Sequence, residues 1–441
     1  MRSNTATLTL SLTSTLALSL ALGACSKEAP DGDSRTTTTT REVNVGGVYT
    51  SREETTVTEP AGPNDAAANW SEPQRPQAGS LTAADYDDNL NPDLYAAYAN
   101  KALQASGQAD LPFVDTRTRV AVKLVDAHGQ PVPHARIDVA RPGNPLTLVS
   151  ASDGTASFYP AFDGIGQNPT VKVSSQAGAV SRTLQFGKRH NQTVTLTLPG
   201  EARPVSAMDL VLVLDTTGSM GDEMTYLQAE LDSIVTRLKR EAGNLDLRIG
   251  LVVYRDTGDE YVTRAFPLAS NIRSVRENLD KQEANGGGDV PEAVDRAMLE
   301  AEHMQWRPDA AKAMLLIADA PPHPKTLAAT LETTQRLRAR GVQIVPVAAS
   351  GVEDSAQYVM RTMAVLTQGR YIFLTDDSGI GNPHAEPDVS CHVVTRLDQL
   401  IARVLAGLVE GRRIEPQEGE VIRAVGDYDH GHCRGVQEVQ S

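Results

Sequence analysis

Aromatic residues, positive charge, cysteine and long apolar runs are all scarce in this chain, and each shortage excludes something. Aromatics make up 4% of 441 residues, too few for the stacking platforms that hold bases. Forty-one Lys and Arg face 56 Asp and Glu, a formal net charge of -15. A nucleic-acid partner, which needs a basic surface, is excluded. Only three cysteines occur, Cys25, Cys391 and Cys433. With His392, His430 and His432 nearby, the last two match no zinc spacing, so 427–433 reads as a polar tail. The apolar run from Ala6 to Leu22 is too short and too Thr-rich for a membrane span. Three catalytic signatures are also missing: a Gly-x-Ser-x-Gly elbow, a P-loop Lys-Ser/Thr and a His-Glu-x-x-His pair. A kinase signature is likewise absent, so enzymatic function has little support.

What is present is ordinary core-forming material, 40% hydrophobic and 22% charged, in a chain long enough for two or three domains. The N-terminus sets the compartment. Arg2 gives a positive start, the Ala6–Leu22 run follows, and then comes Leu22-Gly23-Ala24-Cys25. This resembles a bacterial lipobox, in which the signal peptide is cut before a Cys that is then acylated. The resemblance implies a signal peptide over 1–24 and lipidation at Cys25, hence a cell-envelope protein held on a membrane by lipid. Ser26 goes with sorting to the outer membrane or cell surface. An ordinary secretory signal is the other reading. Export permits a disulfide between Cys391 and Cys433, with a stabilisation of about 4 kcal/mol in the chain-entropy picture. Two free thiols are the alternative.

Residues 25–80 read as a disordered tether, with Thr36–Thr40 a homopolymeric run and Gly, Pro, Asn, Ser and Glu dominant around it. Residues 81–112 read as a short helical segment. Asp85, Asp87 and Asn89 imitate the start of a calcium loop, but Leu90 and Ala96 occupy positions that need Gly and Glu. The acidic residues are expected to cap the helix. Over 113–199 short alternating strands are separated by turns such as Asp126-Ala127-His128-Gly129 and Asp153-Gly154. That pattern predicts a small all-β sandwich. It resembles carboxypeptidase-regulatory-like and other Ig-like modules, which implies a spacer or ligand-presenting role.

From 207 to 410 strands and helices alternate, predicting an α/β fold with a doubly wound, mostly parallel sheet. Asp209–Leu214 is a short, almost unbroken apolar run, as a strand buried on both faces should be. Gly221–Glu241 then carries Met224, Leu227, Leu231, Ile234, Val235 and Leu238 at helical spacing. Between them lies Asp215-Thr216-Thr217-Gly218-Ser219-Met220, a turn at the carboxyl end of a strand, where such sheets bind ligands. One carboxylate and two hydroxyls at alternate positions suit a hard cation, although such a turn also caps helices. Pro346 conflicts with a central position for the strand Val342–Ala348. Residues 411–441 read as a C-terminal tail.

Asp215-x-Thr217-Gly218-Ser219 resembles the first signature of von Willebrand factor type A domains. Gly286-Gly287-Gly288-Asp289-Val290-Pro291-Glu292 is similar to one branch of the second signature, and Asp319 after Met314–Ala318 to the third. The resemblance implies a metal-ion-dependent adhesion site of Asp215, Thr217, Ser219, Asp289 and Asp319. It implies a divalent cation, Mg²⁺ first and Mn²⁺ or Ca²⁺ next, and a protein ligand presenting an acidic residue. Asp289 stands where many members carry Thr, so three carboxylates face the ion. Tighter cation retention and a weaker pull on an acidic ligand follow. Asp256 reads as a solvated loop residue or a rim residue, and His323 as a loop residue. The expected function is adhesion or protein–protein interaction at the envelope. A metal-dependent hydrolase and an envelope assembly or metal-delivery factor are the alternatives.

Overall fold

The computed structural model describes residues 37–39, 55–57, 79–105, 111–185, 191–288, 290–379, 384 and 387–434. Met1–Gln74 and Arg75–Ser441 are two separate units. In the first, Thr37–Thr39 pairs antiparallel with Thr55–Val57. The predicted signal peptide, Cys25 and most of the tether lie outside the described residues, as does Asp289. Among the described residues no helix is long and apolar enough to cross a membrane.

In the second unit the region of short strands folds as two sheets on one core. Asn191–Thr197, Arg119–Val125 and Thr155–Phe158 make one sheet. Leu146–Val149, Arg136–Val139, Thr170–Ser175 and Gly178–Thr183 make the other. Period-two alternation sends Val120, Val122 and Leu124 inward from the first, and Ile137, Val139, Val171 and Val173 from the second.

The strand Ala207–Asp215 explains the larger layer. All but its first residue are buried. Leu210, Leu212 and Leu214 enter one core with Met224, Leu227 and Leu231 of the helix Gly221–Glu241 and with Leu400, Ile401 and Val404 of the helix Leu397–Glu410. Val211 and Val213 point the other way, into a second core with Ala297, Leu327 and Tyr358. A strand apolar at every position from Leu210 to Leu214 is thus covered by helices on both sides. Each such buried side chain contributes ~1.5–3 kcal/mol.

Nine strands form the sheet, in the order Thr263–Ala269, Asp246–Tyr254, Ala207–Asp215, Ala311–Ala318, Val342–Ala348, Tyr371–Thr375, Thr82–Tyr86, His392–Arg396 and Arg423–Val425. Pairing is parallel from Asp246–Tyr254 through Tyr371–Thr375. Pro346 is tolerated because Val342–Ala348 pairs with Tyr371–Thr375 only at Val347 and Ala348. Its missing N–H falls beside the unpaired stretch.

The sheet extends beyond the predicted 207–410 at both ends. Arg423–Val425, from the expected tail, adds an edge strand. Thr82–Tyr86, expected as the acidic start of a helical segment, is instead a fully buried strand, antiparallel to both its neighbours. The helix starts only at Pro92 and runs to Gln104. The acidic residues do not cap it. Asp85 pairs with Arg413 at 2.9 Å, and Asp88 with Arg361 at 2.6 Å, the latter pair 1% exposed on each side. Arginines from distant parts of the chain make these carboxylates burial-competent.

Candidate metal centre

Leu214 lies opposite Ile317 in the parallel register, so Asp215 and Asp319 leave their strands at the same end of the sheet. After Asp215 the chain makes one tight turn, Gly218–Met220, and enters the helix Gly221–Glu241. Asp215 Oδ1 accepts the Thr217 N–H at 2.9 Å and the Thr217 hydroxyl at 2.7 Å. Thr217 Oγ1 stands 3.2 Å from Ser219 Oγ. The first signature thus folds back on itself and puts its carboxylate and both hydroxyls together. Asp215 and Thr217 are buried, whereas Ser219 is exposed. The site has a dry floor and a wet mouth.

The glycine loop is clamped against this turn. Gly218 N–H donates to Gly286 O at 2.9 Å, and Asn285 N–H to Thr216 O at 3.0 Å. Gly287 has φ 66°, and a Cβ there would lie 2.8 Å from Thr217 Cβ and 2.9 Å from Glu292 Oε1. Both the backbone angle and the close approach require glycine. Glu292 N–H donates to Pro321 O at 3.0 Å, which joins the second signature to the third.

Negative charge is crowded here. Burial, and then the charge of Asp319, push the Asp215 carboxyl up to about 7, against the opposing pull of the Thr217 hydrogen bonds. Burial, and then Asp215, Asp256, Asp259 and Asp319, push Glu292 up to about 8. The Tyr254 hydroxyl interacts with Asp215 without reaching hydrogen-bond geometry. Asp215 Oδ2 and Glu292 Oε2 are therefore buried with no hydrogen-bond donor among the described residues. Oxygen atoms in that state fit a hard divalent cation, which would relieve the like-charge repulsion that now favours protonation. Among the described residues no three His, Cys, Asp or Glu side chains converge on one point. The convergent donor set is mixed, two hydroxyls and the carboxylates behind them.

Of the five predicted ligands, the structure gathers Asp215, Thr217 and Ser219 and brings Asp319 to their end of the sheet. Asp289 cannot be placed, being outside the described residues. Of the two readings of Asp256 the solvated loop is corrected: the residue is 9% exposed, and its Oδ1 lies 2.6 Å from His323 Nε2. His323 is accordingly a partner of Asp256. Asp259 was missed. Its Oδ2 accepts the N–H of Asp256 at 3.0 Å and of Gly287 at 2.9 Å, so it fixes the glycine loop. Glu292 was visible in the Gly-Gly-Gly-Asp-x-Pro-Glu string but carried no role. A carboxylate placed directly after a glycine loop and directly before a buried helix was the available signal. In the segment expected as a polar tail, Cys391 is bonded to Cys433, and His432 Nδ1 lies 3.1 Å from Leu90 O.

Residues 209–383 match the family described as von Willebrand factor type A domain. An alpha-protein kinase, vwkA, of Dictyostelium discoideum is 30% identical over 139 residues, 31% of this chain and 22% of that protein. A putative ariadne-like RING finger protein, R811, of Acanthamoeba polyphaga mimivirus is 27% identical over 187 residues, 38% of this chain and 18% of that protein. The chain thus spans about a fifth of the length of these curated relatives. Among solved structures it is similar to the conserved hypothetical protein BatB from Bacteroides thetaiotaomicron, with 14% identity and a TM-score of 0.33 over 46% of this chain and 99% of that one. It is also similar to the pilus adhesin SpaC from Lactobacillus rhamnosus GG, with 13% identity and a TM-score of 0.35 over 56% of this chain and 32% of that one. By the family match, residues 209–383, which carry Asp215, Thr217, Ser219 and Asp319, form a von Willebrand factor type A domain within the α/β layer.

Proposed function

We propose that this chain is a lipid-anchored envelope protein that binds a protein partner through a divalent cation held by Asp215, Thr217, Ser219, Asp289 and Asp319. The observation that carries this reading is a crowd of buried carboxylates, with orphaned oxygens at Asp215 and Glu292, beside two hydroxyls at an open sheet end. The donors are all hard oxygen, which favours Mg²⁺ and also suits Mn²⁺ or Ca²⁺. Thr217 and Ser219 offer hydroxyls to the ion. Asp215 orients Thr217, and Asp319 and Asp289 add charge directly or through water. Glu292 adds negative charge behind the loop. When bound, the ion would supply an open coordination position for an acidic side chain of the partner. The matched family supports interaction rather than catalysis. Anchoring rests on Leu22-Gly23-Ala24-Cys25, and the Cys391–Cys433 bond suits an oxidising compartment outside the cytosol.

Titration calorimetry on the chelator-treated full chain, with Asp215→Ala beside it, tests the reading. One-to-one binding of Mg²⁺ or Mn²⁺ is expected in the wild type and lost in the variant. Equal binding by both proteins, or none by either, would overturn the metal site. Incorporation of labelled palmitate, abolished by Cys25→Ser, is the separate test of the anchor.

A further inference from the structure

We propose that the cleft between the two-sheet module and the type A domain binds a small organic oxyanion, a carboxylate or phosphate on a flat apolar body. The cleft encloses about 610 Å³. The module contributes His134, and the type A domain contributes His303, Met304, Trp306, Lys312 and Arg340. Lys312 is the second residue of the strand Ala311–Ala318, which ends beside Asp319, seven positions on. At about 3.3 Å per residue the cleft is ~23 Å from the metal centre and independent of it.

Charge is the first argument. The formal charge of the whole chain is -15, yet this cleft is lined by a Lys, an Arg and two His with no Asp or Glu. Arg340 is partly answered from outside the cleft, through Glu302 Oε1 at 3.5 Å and Glu302 O at 2.5 Å. Lys312 is answered poorly. It is 5% exposed, and its ammonium donates to Pro308 O and Ala310 O at 3.3 Å each. Charge-assisted bonds to an anion are shorter, ~2.7–2.9 Å. Among the described residues no carboxylate is ion-paired with it. Asp209, the largest nearby opposing charge, is held by Arg248 at 2.7 Å and Arg307 at 2.8 Å. Burial pushes the Lys312 ammonium down to about 8, with Asp209 and Asp309 resisting. A buried ammonium in that state is stabilised by any anion that reaches it.

His134 is the second argument. Its Nε2 is buried with no hydrogen-bond partner among the described residues. Its backbone sits in the left-handed region at φ 57°, uncommon outside glycine, and the residue lines the cleft. Burial, and then the charge of Lys312, push it down to about 4, so the ring is neutral at pH 7. A neutral imidazole can turn an Nε2 hydrogen toward an oxyanion already paired with Lys312. The third argument is apolar surface. Trp306 is half-buried and its indole N–H is already given to Ala301 O at 2.9 Å, which leaves the ring face and Met304 for the body of the ligand. Because one wall comes from each domain, a bound anion would also tie the two together.

The chain has two Trp, so Trp70→Phe leaves Trp306 as the sole indole reporter. In that background, the full chain is titrated with benzoate, phenyl phosphate, inorganic phosphate and benzyl alcohol, followed by Trp306 emission and by calorimetry. Saturable binding of benzoate or phenyl phosphate is expected, and whichever binds tighter identifies the head group. Inorganic phosphate and benzyl alcohol should bind at least about tenfold more weakly, lacking one half of the interaction. Lys312→Met should weaken the aromatic anion by about tenfold or more, and Lys312→Arg should retain it. His134→Asn tolerates the left-handed backbone and keeps the fold, and it should weaken binding severalfold. No saturable response to either aromatic anion would overturn the proposal. So would benzyl alcohol binding as tightly as benzoate, or unchanged binding in a Lys312→Met protein with wild-type thermal unfolding.

Discussion

Arg338 of the helix Leu327–Ala339 reaches out of the type A domain and grips Asp163 of the two-sheet module through both guanidinium ends. The distances are 2.8 Å to Oδ1 and 3.0 Å to Oδ2. The side chains are 4% and 0% exposed, and Arg338 also donates to Ser157 O at 2.7 Å. A pair so desolvated costs a great deal when one member is removed alone. Asp163→Ala should destabilise the fold by ~3–5 kcal/mol in urea unfolding, whereas Arg338→Met combined with Asp163→Leu should cost far less. A single-variant loss under ~1 kcal/mol, the value typical of exposed pairs, would show that the junction admits water.

The candidate metal centre should titrate. The folded Asp215 carboxyl, at about 7, lies above the ordinary carboxylate value. A carboxyl raised in the folded state stabilises fully below its unfolded pKa, near ~4, and that stabilisation is lost as pH rises through ~7. In chelator, the unfolding temperature of the wild type should therefore fall relative to Asp215→Asn between pH ~5 and ~8. Cation binding competes with the same proton, so affinity for Mg²⁺ should rise with pH by up to about tenfold per unit below ~7. Parallel melting curves for the two proteins in chelator across that range would contradict the assignment.

Gly287→Ala and Gly288→Ala make a matched pair. The first places a Cβ under 3.0 Å from Thr217 and Glu292 at φ 66°, whereas the second meets nothing within 4 Å. Gly287→Ala should cost ~1–2 kcal/mol and weaken the cation by about tenfold or more, because Thr217 must shift. Gly288→Ala should change stability by less than ~0.5 kcal/mol. Calorimetry and denaturant unfolding of both variants decide it.

The bond between Cys391 and Cys433 closes a separation of 42 positions. It fastens the hairpin of Tyr428–Asp429 and His432–Cys433 beside the sheet. Replacing both cysteines by serine should cost ~2–4 kcal/mol. Reductant alone should act slowly on the native chain, because Cys391 is 2% exposed. Rapid reduction without denaturant, followed by thiol labelling, would show that this end opens readily.

Local rules carried much of the reading. An almost unbroken apolar run sufficed to predict a strand covered on both faces, and Leu210, Leu212 and Leu214 do divide from Val211 and Val213 between two cores. Helical spacing marked Gly221–Glu241 to the residue. The turn at Asp215 was legible because a strand end, a carboxylate and two hydroxyls are adjacent in sequence. The two readings of Asp256 could not be separated, because its partner His323 lies 67 positions away.

What the sequence determined by itself was periodicity: which segments are strands or helices, and which short strings stand at their ends. Only the tertiary structure decided how charges far apart in the chain are paired. Thr82–Tyr86 looked helical and acidic, yet it is an interior strand flanked by Asp88, whose partner Arg361 is 273 positions away. Burial of a carboxylate depends on a cation that three-dimensional packing alone brings near, and no local pattern encodes that distance. The same holds for Glu292 among four other carboxylates, and for His134 and Lys312, which meet only where two domains close on each other.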